Sequence, residues 1–263
     1  GQGFSEPYVW NYLDSPTLLP HPSHLYWMPL TSIVAALPMM IFGQSFFVAR
    51  LLLLIIASCL PMISYRLMVI SGGSRRYAII AGLITIFSGF YPVFFATTDS
   101  FGLYAFIVSL IFIFLYRGVE SKQKRWWFFA GIGIGLAHLT RADGVLLLIV
   151  AFLVALQLRS ARSLITYYLS LCVGYITPTS IWFIRNFTIS GSPFGSGGMA
   201  TLWLVSYDDI FNFPFNVSLA RYFDSGLATL LRGKMLALTT NAQTVIAVQC
   251  LIFLAPRAQN GGL

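Results

Sequence analysis

Charged residues are scarce in this sequence. Only 9% of its 263 residues are Asp, Glu, Lys or Arg, whereas about 25% is usual for a soluble domain. Hydrophobic residues make up 57%, and the mean hydropathy is +0.79. Because the apolar residues are spread along the chain, a soluble enzyme with a single membrane anchor is excluded. The composition therefore predicts an integral membrane protein.

Cysteine is also rare. Cys59, Cys172 and Cys250 lie in apolar stretches and form no CxxC motif or Cys/His cluster, so we expect small buried side chains.

Nucleic-acid-binding motifs are absent as well. The net charge of +8 is explained better by membrane topology, and we expect no nucleic-acid partner.

Long apolar segments make up most of the sequence. A helix needs roughly 20 apolar residues to cross the hydrocarbon core. The predicted spans are 46–70, 77–95, 101–117, 126–140, 143–158, 164–184 and a seventh near 236–256. Segment 30–42, bounded by Pro29 and Gly43, is short for a crossing, and we predict an interfacial half-helix there.

The predicted fold class is all-α: a polytopic transmembrane helical bundle with about seven spans, short interfacial helices and one long extracytoplasmic loop. One transmembrane domain would cover the whole chain. Its predicted parts are an extracytoplasmic strap with the interfacial helix (1–45), six transmembrane helices (46–184), an ordered extracytoplasmic loop rich in Gly and Pro (185–235) and the seventh span (236–256). The chain begins without an initiator Met or a leader, so we expect a piece of a longer protein.

Basic residues are expected to orient the bundle, since Lys and Arg are retained on the cytoplasmic side. They cluster in every second connection, at Arg75 and Arg76, at Arg117, Lys122, Lys124 and Arg125, and at Arg159 and Arg162. The opposite, outer face is predicted to carry all three histidines and every acidic residue except Glu120. Any chemistry is therefore predicted on that outer face.

A proline-rich segment, residues 19–29, precedes the interfacial helix and is called the strap from here on. Proline fixes the backbone and removes N–H donors, so the strap should be stiff and extended. Tyr26 and Trp27 suit an interfacial aromatic belt. The functional alternative is that His21 or His24 faces an anionic headgroup or a metal, although their spacing is a weak metal signal.

Three further polar positions lie at the outer ends of spans. Asp99 is interpreted either as the N-cap of the helix that follows or as a site residue, and the two roles are compatible. Arg141 suits a phosphate or a carboxylate, and pairing with Asp143 is the structural alternative. Arg185 likewise lies on the side where topology does not favour a cation.

Glycines precede Arg141 at every second position, at 131, 133 and 135. They do not share one helical face, so the pattern predicts close packing on several sides rather than a dimer seam. It does not match a dinucleotide fingerprint either, because the run lies in an apolar span and follows no strand.

The order of these motifs resembles the GT-C class of polytopic glycosyltransferases, in particular the group of protein O-mannosyltransferases and the bacterial lipid A aminoarabinose transferase. The resemblance covers about residues 1–195. The matching pieces are Gly-Gln-Gly-Phe at 1–4 with Pro7, His-Pro-Ser at 21–23, Ala-Arg-Leu at 49–51, Thr-Asp at 98–99, the glycine-rich run 131–141, Trp-Phe-Ile-Arg-Asn at 182–186 and Gly-Ser-Pro at 191–193.

The resemblance implies an enzyme of the bacterial or archaeal plasma membrane. It would move a sugar from a polyprenyl-phosphate-linked donor to a lipid, glycan or protein acceptor on the extracytoplasmic face, by a carboxylate-assisted or metal-assisted inverting displacement. Its implied partners are that donor and membrane lipids, and its only implied cofactor is a divalent metal ion, which the sequence leaves open.

The resemblance also implies residue roles. Asp99 would be the catalytic carboxylate. The donor phosphate would bind His21, Arg141 and Arg185, with support from His24, His138, Asp143 and Asn186. Two departures qualify these roles: Ser23 replaces the family's second proline, and the family's principal acidic residue follows a first span that this chain does not contain. That acidic residue is expected upstream of Gly1.

Two other classes of protein remain open at this point. A polytopic transporter or lipid flippase would also place charges within a bundle, but the paired broken helices typical of transporters are not found in the sequence. A non-catalytic membrane assembly subunit would use the same polar positions for packing.

Overall fold

The computed structural model describes residues 3–8, 19–87, 92–158, 161–212 and 217–254. Helices dominate this part of the chain. The α-helices are α1 (Leu30–Phe42), α2 (Phe46–Ala49), α3 (Leu51–Ser58), α4 (Leu60–Ile70), α5 (Arg75–Ile86), α6 (Pro92–Phe95), α7 (Ser100–Ser121), α8 (Lys124–Thr140), α9 (Leu147–Ala155), α10 (Ala161–Ser190), α11 (Ser196–Ala200), α12 (Leu219–Asp224) and α13 (Leu227–Leu254).

Short elements connect these helices. Within the described ranges, 3₁₀ turns cover Ala142–Leu146, Thr201–Trp203 and Tyr207–Phe211. Two strands of two residues each, β1 (Ser5–Glu6) and β2 (His21–Pro22), form an antiparallel pair outside the predicted spans. The all-α prediction is confirmed at this level.

Three helical stretches of the described chain are long and apolar enough to cross a membrane: Phe46–Ile70, Ser100–Ser121 and Ser163–Ser190. Leu30–Phe42 and Ala142–Ala155 are apolar but shorter. The chain is therefore an integral membrane protein, and the count of seven spans stays a prediction. Residues 88–91 of the predicted span 77–95 and residues 255–256 of the predicted seventh span lie outside the described residues.

The predicted outer loop 185–235 contains more helix than the sequence suggested. Helix α10 continues to Ser190 and ends at Gly191, whose φ of 72° and N–H bond to Phe187 O give the left-handed cap that glycine favours. Gly226, with φ of 82°, precedes α13 in the same conformation. Gly191 follows the end of α10 and Gly226 precedes the start of α13, so the segment between these two glycines connects the two long helices.

Helices α7, α8 and α10 form the centre of the bundle, with α8 between the other two. One face of α7 presents buried residues four positions apart, as a helical period requires. These residues are Leu103, Ile107, Ile111 and Leu115. They share a core with Trp127, Ala130, Ile134 and Ala137 of α8 and with Leu171 of α10. In a lipid environment this packing, rather than exclusion from water, stabilises helix association.

The glycines of α8 decide how closely its neighbours approach. A Cβ on Gly131 would lie 2.0 Å from the backbone oxygen of Leu171, and one on Gly174 would lie 2.1 Å from that of Phe128. Gly133 instead faces Ile111 of α7. Close packing on more than one side is thus confirmed. Gly131 and Gly135 both face α10, so a small-residue seam forms within the chain.

Candidate active site

The strap is joined to the N-terminal segment 3–8 by the small β-sheet. Glu6 lies opposite His21 in the pairing, and Oε1 of Glu6 is 3.3 Å from Nε2 of His21. His21 is buried by this arrangement, and its Nδ1 has no hydrogen-bond partner among the described residues. His21 therefore contacts the Glu6 carboxylate directly.

Arg185 attaches this sheet and the strap to α10. Its Nη2 donates to the backbone oxygens of Ser23 (3.0 Å) and Phe4 (3.3 Å), and Nη1 donates to Oδ1 of Asn186 (3.2 Å). The guanidinium also lies 4.4 Å from the centre of the Trp182 ring. Three donors of one planar group are used for these contacts, which suits arginine and not lysine.

His24 is held in an unusual backbone conformation. Its φ of 61° is uncommon for a residue with a side chain. The Nδ1 atom shares a hydrogen bond of 2.7 Å with Ser23 Oγ, and Nε2 shares one of 2.9 Å with Ser32 Oγ at the start of α1. A neutral imidazole offers one donor and one acceptor, so both contacts are satisfied without a charge.

The surroundings of His24 also favour its neutral form. The imidazole lies edge-on to the rings of Phe4 (5.4 Å) and Trp182 (6.2 Å). Burial lowers the pKa of His24 from its ordinary value, and the positive charge of Arg185 lowers it further. His24 thus links the strap to α1 as an uncharged group.

A cavity of about 630 Å³ opens between the strap, α1 and the start of α7. The residues that line it are Glu6, His24, Trp27, Met28, Thr31, Ser32, Thr98, Asp99, Ser100 and Thr140. Two carboxylates and one imidazole therefore share a cavity of a size typical for ligand sites. The hydroxyl of Thr31 is buried and has no hydrogen-bond partner among the described residues.

Asp99 caps α7 and lines this cavity at the same time. Its Oδ1 accepts from the backbone N–H of Phe101 (3.1 Å) and from the Ser100 hydroxyl (3.4 Å). Both hydrogen bonds from described residues end on Oδ1. Since the cap uses only Oδ1, the second carboxylate oxygen of Asp99, Oδ2, can contact a ligand, and the two predicted roles of Asp99 are compatible.

A second cavity of about 390 Å³ adjoins the first. Both are lined by Trp27, Met28, Ser100 and Thr140, and the second also by Tyr26, Arg141, Ala142, Asp143 and Thr201. We call the two together the outer groove. Asp99 and His24 lie in its first part, and Arg141 lies in its second part.

Arg141 is fixed at the end of α8. Its Nε donates to Oδ1 of Asp143 (3.1 Å), and its guanidinium carbon lies 5.0 Å from the ring centre of Phe101 and 5.6 Å from that of Tyr104. The pairing with Asp143 foreseen as an alternative thus occurs, in a partly exposed setting. A phosphate in the groove would compete with Asp143 for this cation.

The other predicted site residues do not line the outer groove. His21 contacts Glu6, Arg185 donates to backbone oxygens of the strap and of Phe4, and neither residue lines the groove. His138 is buried in the bundle, where its Nδ1 and the Tyr175 hydroxyl share a hydrogen bond of 2.7 Å. Asn186 is buried and donates to Pro193 O, so it fixes the turn after α10.

Several lining residues were not singled out from the sequence, above all Glu6, Thr31 and Ser32. Their only sequence signal is position: Glu6 is an acidic residue in the segment before the strap, and the two hydroxyls begin α1. Proximity to Asp99 depends on how the strap folds across α7, which no local pattern encodes.

The sequence does not decide whether a divalent metal ion takes part. In the described ranges, no three His, Cys, Asp or Glu side chains group closely enough to hold one. Glu6 and Asp99 are the carboxylates that line the outer groove in its first part. This donor set does not fit a metal site made by the described protein atoms alone.

An all-α membrane bundle, with carboxylates and an arginine around a groove at one end, suits the class of membrane glycosyltransferases. The model of the dolichyl-phosphate-mannose-protein mannosyltransferase family matches residues 21–182, more than half of the chain. The chain belongs to this family of glycosyltransferases, as its resemblance to the GT-C class predicted. No curated protein and no solved structure matches it.

Proposed function

We propose that the protein transfers a sugar from a polyprenyl-phosphate-linked donor to a lipid, glycan or protein acceptor at the outer groove, on the extracytoplasmic face of the membrane. The observation that carries this proposal is the position of Asp99 and Arg141 in adjoining parts of one groove. The name of the family, which contains dolichyl-phosphate-mannose, supports a donor of this chemical kind.

The two residues suit opposite ends of one displacement. The acceptor oxygen forms a bond to the anomeric carbon of the sugar while the bond from that carbon to the phosphate oxygen breaks. The acceptor proton passes to the Asp99 carboxylate, whose Oδ2 is not used by the helix cap. The polyprenyl phosphate leaves with its negative charge against Arg141.

The remaining residues act by position in this proposal. His24, Thr31 and Ser32 border the first part of the groove, where the sugar hydroxyls would lie. Arg185 and His21 keep the strap in place as the groove wall, in contrast to the direct phosphate contacts that the sequence suggested. His138 and Asn186 stabilise α8 and the turn after α10. Whether the transfer needs a divalent ion is tested by measuring its rate with and without a chelator.

The test is release of polyprenyl phosphate from a labelled polyprenyl-phosphate sugar by the full-length protein in liposomes. Asp99→Asn is the decisive variant, because Asn caps a helix as well as Asp but cannot accept the proton. We expect a loss of about 10²- to 10⁴-fold in rate, with unchanged thermal unfolding. Arg141→Lys should raise the donor KM about tenfold, because the bidentate fork is lost.

Asp208→Asn is the matched control, since Asp208 is an exposed acidic residue of the same predicted outer face and lies outside the groove. It should retain the parent rate. Full activity of Asp99→Asn would refute the role of Asp99. Movement of the intact labelled donor across the bilayer without release of polyprenyl phosphate would refute transfer and indicate a flippase.

A further inference from the structure

A second set of cavities lies at the opposite end of the bundle from the outer groove. Helix α8 has 17 residues, about 25 Å, between Arg141 at the groove and the connection at Lys122 and Lys124. One shallow, open cavity of about 570 Å³ is lined by Lys122, Gln123, Lys124, Arg125 and Tyr167, and residues 122–125 are exposed. None of the residues that take part in the proposed sugar transfer lines this cavity.

The cations of this cavity are not neutralised by any acidic residue in the part of the chain that the structure describes. The nearest acidic residue in sequence, Glu120, pairs with Arg117 at 3.2 Å. No ion pair of the described chain involves Lys122, Lys124 or Arg125, and no acidic residue lines the cavity. Three positive charges therefore converge on one space.

The connection that carries these cations is held in a defined shape. Lys122 is in the left-handed conformation, with φ of 53°, and its backbone oxygen accepts from the Tyr167 hydroxyl at 2.6 Å. The backbone oxygen of Lys124 accepts from the Ser170 hydroxyl at 3.1 Å. Helix α10 thus fixes both ends of the connection, so the backbone that carries the cations is ordered.

An apolar groove continues from the cations along the bundle. A shallow, open cavity of about 580 Å³ has Lys124 and Arg125 at one end. Its remaining lining is mainly apolar, from Phe128, Leu169 and Val173, with Thr166 and Ser170 between them. Leu169 and Val173, four residues apart on α10, have exposed fractions of 60% and 59%. They form a lipid-facing stripe that starts directly at the charged end.

We propose that this site binds one anionic phospholipid, with its phosphate at Lys122, Lys124 and Arg125 and one acyl chain along Phe128, Leu169 and Val173. Charge complementarity selects the headgroup, and basic pockets between membrane helices suit such headgroups. The apolar continuation selects a lipid over a soluble phosphate. Retention of basic residues by topology explains positive charge at this end, but it does not require a groove that joins charge to an apolar stripe.

Native mass spectrometry of the full chain in detergent, titrated with phosphatidylglycerol or phosphatidylcholine, tests the proposal. We expect a saturable adduct of one phosphatidylglycerol and much weaker binding of phosphatidylcholine. Lys124→Gln should weaken the phosphatidylglycerol adduct about fivefold, and loss of all three cations should reduce it to the phosphatidylcholine level. Higher ionic strength should weaken it as well.

Two controls separate this site from general charge attraction. Arg75→Gln with Arg76→Gln removes two exposed cations of the same predicted face, outside both cavities, and should leave the adduct unchanged. Val173→Trp fills the apolar groove without changing charge and should weaken the adduct. Each variant is checked for unchanged thermal unfolding, and the single Gln variants serve if the triple variant does not fold.

Three results would overturn the proposal. The first is equal binding of phosphatidylglycerol and phosphatidylcholine. The second is an effect of the Arg75 and Arg76 pair as large as that of the site variants. The third is displacement of the lipid by glycerol 3-phosphate at an equal concentration, which would identify a site for soluble phosphate.

Discussion

The seam between α8 and α10 and the strap across the outer groove are held by different forces. At the seam, Gly131 and Gly174 let two helix backbones touch, and the atoms nearest to an added Cβ are the backbone oxygens of Leu171 and Phe128. The strap is attached through hydrogen bonds of Arg185 and His24. The groove therefore has one wall built on a rigid helix pair and one wall that local changes can move.

The largest expected effect is on the seam. Gly131→Ala would place a Cβ 2.0 Å from Leu171 O, a backbone atom that cannot turn aside, so α8 and α10 must separate. We expect a loss of about 3 kcal/mol or more in unfolding free energy, measured by thermal or denaturant unfolding in detergent. Gly233→Ala, a helical glycine of α13 with nothing within 4 Å of the added Cβ, is the matched control. Equal stability of the two variants would contradict the seam.

A smaller and local effect is expected at the strap. Arg185→Lys keeps the charge but cannot reach Ser23 O, Phe4 O and Asn186 Oδ1 together, so about 1.5 to 3 kcal/mol of local stability should be lost. Hydrogen exchange of residues 19–29 should accelerate while overall unfolding changes little. Arg117→Lys, an exposed arginine at the other end, should change neither. Uniformly faster exchange along α8 would show that strap and seam are not independent.

Lowering the pH should also weaken the attachment of the strap and accelerate hydrogen exchange of residues 19–29, as Arg185→Lys does. Because the pKa of His24 is lowered in the folded protein, its neutral form contributes stability that is full above the ordinary value of 6.5. That stability is lost as pH falls from 6.5 through the lowered folded pKa, since the unfolded strap binds the proton first. Exchange of the strap, corrected for intrinsic rate, should accelerate between pH 7.5 and 5.5. His24→Gln should remove this dependence, and a persistent dependence would assign it to another group.

The smallest effect on stability and activity is expected from a substitution at the end of α8, in the groove wall that the helix pair forms. Asp143→Asn releases Arg141 from an exposed ion pair, which contributes little to stability. The donor KM should fall about twofold because the guanidinium no longer has a competing partner. Unfolding should not change. A rise in KM would mean that Asp143 positions Arg141 for the donor.

Local chemistry allowed part of the site to be predicted. An Asp before an apolar run is a capping signal, and Asp99 does cap α7 while it lines the groove. The glycines before Arg141 predicted close packing, which depends only on the absence of a Cβ. The sequence identifies Arg185 as a cation on the predicted outer face. It does not identify the partners of Arg185, the backbone oxygens of Phe4 and Ser23, because every residue has such an oxygen.

The sequence alone determined that this chain is a helical membrane protein, since apolar length and the need to satisfy backbone groups in lipid permit little else. It also determined the family, through motifs in a fixed order. Only the tertiary structure decided which polar residues share a space: Glu6 and Asp99 are 93 positions apart by number, yet both line one cavity. The physical reason is that the strap's path over α7 is set by long-range contacts, whose partners are selected by three-dimensional packing and not by neighbours in the chain.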